Sequence, residues 1–174
     1  VQAAALPLLL TQKDVVAEAV TGSGKTIAFA VAAVEACSRL ERGPILVVCV
    51  SPTRELAAQT SRVFATLCKA HALDSELITG GSTVEAPERC DILIATPGRL
   101  DDVLTRAILD VAGVELLILD EADVLLELGF ALQIDRIMKR LPRQRRTCLF
   151  SATQTRAVRD LARAGLRNPA SVSV

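Results

Sequence analysis

The stretch DVVAEAVTGSGKTIAFAVAAV, Asp14 to Val34, decides how the rest of the sequence is read. DVVAEA is a short β-branched run of the kind that forms a strand, TGSGKT is a turn of small and hydroxyl residues, and IAFAVAAV is an apolar helical stretch. Strand, glycine turn and helix in that order make a phosphate loop. The glycines let the backbone curl so that its N–H groups point inward, and the helix presents its positive end. Within AVTGSGKT, the turn Thr21, Gly22, Ser23 and Gly24 would cradle phosphates, Lys25 would reach the β and γ phosphates of a nucleoside triphosphate, and the Thr26 hydroxyl would bind Mg²⁺. The usual pattern, GxxxxGK[ST], begins with glycine where this sequence has Ala19. An ordinary Gly-Ser turn is the competing reading; the order of strand, loop and apolar helix stands against it.

Outward from this unit the same pattern recurs: a short β-branched or Leu-rich run, a polar turn, then apolar residues at helical spacing. The further runs are ILVVCV (45–50), SELIT (75–79), DILIA (91–95), ELLIL (115–119), TCLF (147–150) and a closing ASVSV. Between them Leu56, Val63, Phe64 and Leu67, and then Ile134, Ile137, Met138 and Leu141, recur at helical spacing, while Gly43-Pro44, Pro142 and Asn168-Pro169 mark helix ends. The reading is an α/β fold with a mostly parallel central sheet and helices on both faces. TGSGKT follows the first strand, SPTREL the second, TGG the third, TPGR the fourth, DEAD the fifth and SAT the sixth. In a parallel sheet all of these turns emerge at the carboxyl edge, where open α/β sheets bind ligands.

Composition bounds the possibilities. The 174 residues, 51% hydrophobic and 23% charged, fit one domain with an ample core, read here as residues 1–174. Twenty basic residues balance twenty acidic ones, so a polyanion would be gripped by local groups and not drawn in by a global field. The longest apolar run, Ile27 to Val34, is far below the roughly 18 residues that cross a bilayer, and neither a membrane segment nor a signal peptide is expected. Five scattered cysteines lack the close pairs of zinc or redox sites and read as small core residues in a reducing, intracellular compartment.

In LLILDEADVLL, Leu116 to Leu126, an apolar strand stops at Asp120, Glu121 and Asp123, three acids that repel one another unless something positive lies among them. Lys25 and a Mg²⁺ carried by the triphosphate supply that charge. Asp120 would hold the metal, directly or through water, and Glu121 would orient and deprotonate the attacking water. Asp123 is left for hydrogen bonds to other motifs. Taken alone, acids at a strand end could instead cap a helix beginning near Ala122.

These motifs together resemble the DEAD-box RNA helicases of superfamily 2. DEAD at Asp120 to Asp123 comes with PTREL (Pro52 to Leu56), Gly80-Gly81, TPGR (Thr96 to Arg99) and SAT (Ser151 to Thr153), in family order, and the resemblance runs from Gln2 to the C-terminus. It implies the first of two RecA-like domains, a P-loop fold that binds ATP and Mg²⁺ and grips one RNA strand. Gln2 is similar to the glutamine that reads the adenine edge. Ser151 and Thr153, with Asp123, resemble the residues that couple hydrolysis to strand separation. Pro52, Thr53, Arg54, Glu55, Gly80, Gly81, Thr96, Gly98 and Arg99 resemble the RNA-contacting set.

That set makes physical sense by itself. Gly80-Gly81 permits close backbone approach, Thr53 and Thr96 offer hydroxyls, and Arg54 and Arg99 offer charged forks for phosphate, so binding is expected to be independent of base sequence. With no Trp or Tyr and only four Phe, all in apolar contexts, a base-stacking platform is not expected. SPT as a helix start and TPG as an ordinary turn are the structural alternatives. KRLPRQRR, Lys139 to Arg146, precedes the sixth strand and lies at the opposite edge; it reads as a solvated turn, with partner or RNA docking as the alternative. His71 is expected near a helix C-terminus, without a catalytic role.

Family members carry a second RecA-like domain whose arginines complete the ATP site, and an upstream aromatic that stacks on adenine; neither matches residues of this sequence. The chain is therefore expected to act as a half-site, binding nucleotide and RNA weakly, with adenine preference in doubt and hydrolysis slowed by on the order of a thousandfold. Nothing suggests an obligate interface, and a monomer is expected. PLLLTQKDVVAEAVTGSGKT most resembles nucleolar members that act in large-subunit ribosome assembly, which implies the nucleus or nucleolus, with the cytoplasm as the alternative. The rival readings are a non-catalytic ATP-gated RNA clamp or assembly scaffold, and a DNA-directed helicase or translocase of the same superfamily.

Overall fold

The computed structural model describes residues 2–20, 22–40, 45–81, 87 and 89–173. Seven short strands form one sheet: β1 (Val15–Glu18), β2 (Val47–Val50), β3 (Ser75–Ile78), β4 (Ile92–Ala95), β5 (Leu116–Leu119), β6 (Arg146–Ser151) and β7 (Ala170–Ser173), in the spatial order β3-β4-β2-β5-β6-β1-β7. Every pairing among them is parallel, so the expectation of an α/β fold with a mostly parallel sheet is met. β2, β4 and β5 are apolar and buried at every position, as strands covered on both faces must be.

The strand pleat sorts these residues into two layers. Val47, Cys49, Ile92, Ile94, Leu116 and Ile118 face a layer made by α1 (Gln2–Leu9), α2 (Lys25–Ser38) and α3 (Arg54–His71). At its centre the Phe29 ring lies 6.1 Å from Phe64 and 5.1 Å from Phe150. Val48, Val50, Leu93, Ala95, Leu117 and Leu119 face the other way, toward α4 (Pro97–Thr105), α5 (Ala122–Glu127) and α6 (Ala131–Arg140). Val16 and Leu149 pack with Val158 of α7 (Arg156–Gly165). Phe130, only partly buried, leans on the second layer. All five cysteines are free and buried, and burial pushes the thiols of Cys37, Cys90 and Cys148 up to about 12, so they act as small apolar residues. Among the described residues no helix is long and apolar enough to cross a membrane.

Helix α1, which contains Pro7, was not anticipated, because an apolar run such as ALPLLL carries no period of its own. Pro142 and Asn168-Pro169 fall just beyond α6 and α7, and His71 is the last residue of α3; Gly43-Pro44 lies outside the described residues. The basic run is a solvated turn as far as Gln144, with Lys139, Arg140, Arg143 and Gln144 exposed, and its last two residues turn inward. Arg146 donates to Thr11 O at 2.8 Å, closing the chain that leaves α1, and buried Arg145 donates to Pro142 O at 2.8 Å.

The amino edge of the sheet is tied by acids. Asp14, buried at the head of β1, accepts from Thr147 N at 2.7 Å and Arg167 N at 2.6 Å, so one carboxylate joins the starts of β1 and β6 to the segment entering β7. Asp91 does the same for β3 and β4 by accepting from Asp74 N at 2.8 Å. Replacing Asp14 by Ala strands two backbone donors. In urea titration Asp14→Ala should lower stability by about 2–4 kcal/mol, and Asp14→Asn, which keeps one acceptor oxygen, by about half as much.

Candidate functional site

The strand order divides the carboxyl edge. β1, β6 and β5 lie side by side and end in TGSGKT, SAT and DEAD; β3, β4 and β2 lie side by side and end in TGG, TPGR and SPTREL. The residues read from sequence as nucleotide-binding thus fall on one half of the rim and those read as RNA-binding on the other.

On the first half, Ala19 still belongs to the sheet, donating to Ser151 O at 2.9 Å, and has none of the positive φ that would call for glycine. The turn then depends on Gly22 (φ 82°) and Gly24 (φ 90°), a left-handed pair that delivers Lys25 to the first position of α2. Ser23 closes the turn on Val20, its hydroxyl donating to Val20 O at 2.6 Å; Thr21 lies outside the described residues. Gln2 packs against this loop, since a Cβ placed on Gly24 would come within 2.7 Å of its Nε2.

Lys25 is 4% exposed, and its Nζ lies 3.1 Å from Glu121 Oε1. Among the described residues the ammonium makes no well-aligned hydrogen bond, so most of its donor capacity is unused there in a buried place. Glu121 holds a left-handed backbone (φ 49°, ψ 56°) at the head of α5, which costs a non-glycine residue about 1–2 kcal/mol. That turn aims its carboxylate back at α2. Asp120 is also buried; desolvation first, then the neighbouring Glu121, push its carboxyl up to about 7 against the opposing pull of Lys25. These groups line a cleft of about 250 Å³ with Gly22, Gly24 and Thr26. Leu56, Gln59, Thr60 and Val63 of α3 form its other wall; the sequence marks Leu56 and Val63 only as apolar helix positions and gives no sign of Gln59 and Thr60.

The cleft suits a Mg²⁺-triphosphate on its donor chemistry: an under-used ammonium for phosphate, and the Thr26 hydroxyl with Asp120, the small ligand set Mg²⁺ uses when phosphates complete its shell. When bound, such a cation would neutralise charge that develops on the transferred phosphoryl group. Asp123 turns away from this cleft. Its Oδ2 accepts from Thr153 N at 3.0 Å and Thr153 Oγ1 at 2.8 Å, while the Ser151 hydroxyl donates to Thr153 O at 2.8 Å. Burial works to raise the Asp123 carboxyl, but bonds from Thr153 and Ser151 outweigh it and hold the group below its usual range.

On the other half, Pro52 leads to Thr53, which caps α3 by accepting from Leu56 N at 3.2 Å; Glu55 lies exposed in the first turn. SPT is thus a helix start and a rim element at once. The Arg54 guanidinium passes over Gly80 and Gly81, 3.3 Å from where a Cβ on Gly81 would be, so PTREL and TGG form one surface. Thr96 precedes α4 and is buried, which leaves less hydroxyl on offer than its sequence position implied. Gly98 opens on space and Arg99 pairs with Asp102 at 3.1 Å.

A DEAD/DEAH box helicase family model matches residues 1–161. The chain belongs to that family. DEAD-box ATP-dependent RNA helicase 18 of Arabidopsis thaliana is 50% identical over the whole of this chain, and human ATP-dependent RNA helicase DDX55 is 46% identical over the same extent; in each case the chain spans 32% of the relative's length. Among solved structures, a Dbp5 complex from S. cerevisiae with Nup159, Gle1, IP6 and ADP matches 99% of this chain and 47% of its own at a TM-score of 0.92 and 31% identity. Dbp5 bound to RNA and ADP BeF3 matches 98% and 44% at 0.88, also 31% identical. The fold is accordingly that of the RecA-like domain of DEAD-box proteins.

For this DEAD-box domain, Gly24→Ala combines a positive φ with the Gln2 contact. Calorimetric titration should show ATP affinity reduced by at least about tenfold, and Gln2→Ala in the same chain should not restore it, because the backbone strain stays and the expected adenine contact is lost as well.

Proposed function

We propose that residues 1–174 are the ATP-binding half of an RNA-stimulated ATPase, which, joined to a second RecA-like domain in the complete protein, separates short RNA duplexes. The observation that carries this reading is the buried Lys25 ammonium, held 3.1 Å from Glu121 beside Asp120 in a cleft edged by two left-handed glycines. The names of the relatives, ATP-dependent RNA helicases of about three times this length, support it.

In this reading Lys25 leaves Glu121 for the β and γ phosphates, and Asp120 and Thr26 hold Mg²⁺. Glu121, released, turns to the attacking water and accepts its proton. Gln2 contacts the adenine edge next to the loop it already packs against. Arg54, Gly80, Gly81, Gly98 and Arg99, with Pro52, Thr53, Glu55 and Thr96, hold the RNA backbone without regard to base. Thr153 and Ser151 pass changes at Asp123 to the rest of the molecule. Arginines of the second domain complete the charge around the phosphoryl group, so the chain by itself turns over slowly. The resemblance of Pro7 to Thr26 to nucleolar members suggests large-subunit ribosome assembly as the setting and the nucleolus as the place.

ATP hydrolysis by the complete protein should be stimulated by RNA and not by DNA, and Glu121→Gln should reduce it by at least about 100-fold while ATP binding persists. Equal stimulation by DNA would favour the translocase, and full biological activity of Glu121→Gln would favour the clamp.

A further inference from the structure

Asp101, three residues past Gly98 in α4, is a buried carboxylate without a part in the site described above. Burial of a charge demands partners, and α6 provides them. Arg136 donates from Nε to Oδ2 at 3.0 Å and Oδ1 at 3.2 Å, and from Nη2 to Oδ2 at 2.6 Å; Arg140 Nη1 lies 3.4 Å from Oδ1. Asp102, beside it, pairs with Arg99 at 3.1 Å and Arg106 at 3.6 Å. Arg136 and Arg140 thus share the single buried carboxylate of Asp101, with Asp135 close enough to act on Arg136 as well.

These groups line a groove of about 410 Å³ that runs from Gly98 past Asp101, Asp102 and Thr105, with Arg136 and Arg140 as its other wall. Asp101 occupies one edge of the Arg136 fork, so the Nη1 end points away from the carboxylate; the arginine side chains are 47% and 34% exposed.

We propose that Arg136 and Arg140 form a phosphate-binding site that carries an RNA strand beyond TPGR along the α4–α6 groove, with Asp101 fixing both guanidinium groups in place. The proposal rests on the RNA-binding reading of the rim. The groove starts at the rim glycine that admits a backbone, and its lining offers arginine guanidinium groups but no apolar pocket to anchor a peptide; the Thr105 hydroxyl already donates to Asp101 O at 2.7 Å. From Gly98 to Thr105 the helix rises about 10 Å, room for about two or three stacked nucleotides.

The test measures RNA affinity of the complete protein, with a non-hydrolysable ATP analogue, by fluorescence anisotropy across a salt series. Arg136→Gln and Arg140→Gln should each weaken binding of a long single strand about five- to tenfold and reduce the slope of log K against log salt by about 0.7. ATP affinity should stay unchanged, as should binding of an oligonucleotide cut to the rim contacts. Because Arg136→Gln strands Asp101, the double variant Asp101→Asn/Arg136→Gln should keep the loss of slope with the melting temperature recovered. Unchanged slope and affinity in folded variants would overturn the site and leave a structural ion pair, or a surface for an acidic protein. If the unmodified protein bound no RNA at all, the reading of the rim would fall first, and this site with it.

Discussion

The buried contact between Lys25 and Glu121 is the constraint around which the carboxyl edge is arranged. Neither charge could be left alone at such depth, where an unpaired ion would be driven to neutralise. Bringing the two together requires unusual backbone on both sides: a left-handed glycine before α2 and a left-handed glutamate before α5. Asp120 adds a second buried acid near the same ammonium, and its carboxyl is raised first by desolvation and then by Glu121, against the pull of Lys25. Two acids beside one ammonium whose donors are under-used make a donor set that a cation carrying its own phosphates would complement.

Much of this was legible because it is local. Each strand is a short apolar run followed at once by its functional turn, so the order of β-branched runs and polar clusters carries both the sheet and the rim. The strand assignments hold within one or two residues, the differences falling only at the strand ends. The division of the rim could not be read the same way. It comes from strand order, and strand order depends on which helices cross which face.

What the sequence concealed lies in partners far apart along the chain. Asp14 meets Thr147 and Arg167, Asp91 meets Asp74, and Asp101 meets Arg136, pairs that no local pattern links. Arg145 and Arg146 misled as well, since the end of a basic run that suggested solvent is bonded to carbonyls of Pro142 and Thr11. Helix α1 had no period to reveal it, and Gln59 and Thr60 reach the cleft only because α3 runs on past PTREL. Local rules bring the acids of the DEAD run to the edge; long-range satisfaction of buried charge holds the sheet together.

The seam between the two halves of the rim is the pairing of β2 with β5, Val47 with Leu116 through Val50 with Leu119, every residue buried. It ends in a bond from Asp120 N to Val50 O at 2.9 Å, so the backbone of an acid in the Lys25 cleft is fastened to the strand that leads into Pro52 and Arg54. A packed ladder of this kind behaves as a strut and resists sliding. The halves therefore keep a fixed spacing, like jaws cut from one block, and any large stroke in a working cycle has to be taken up beyond this sheet.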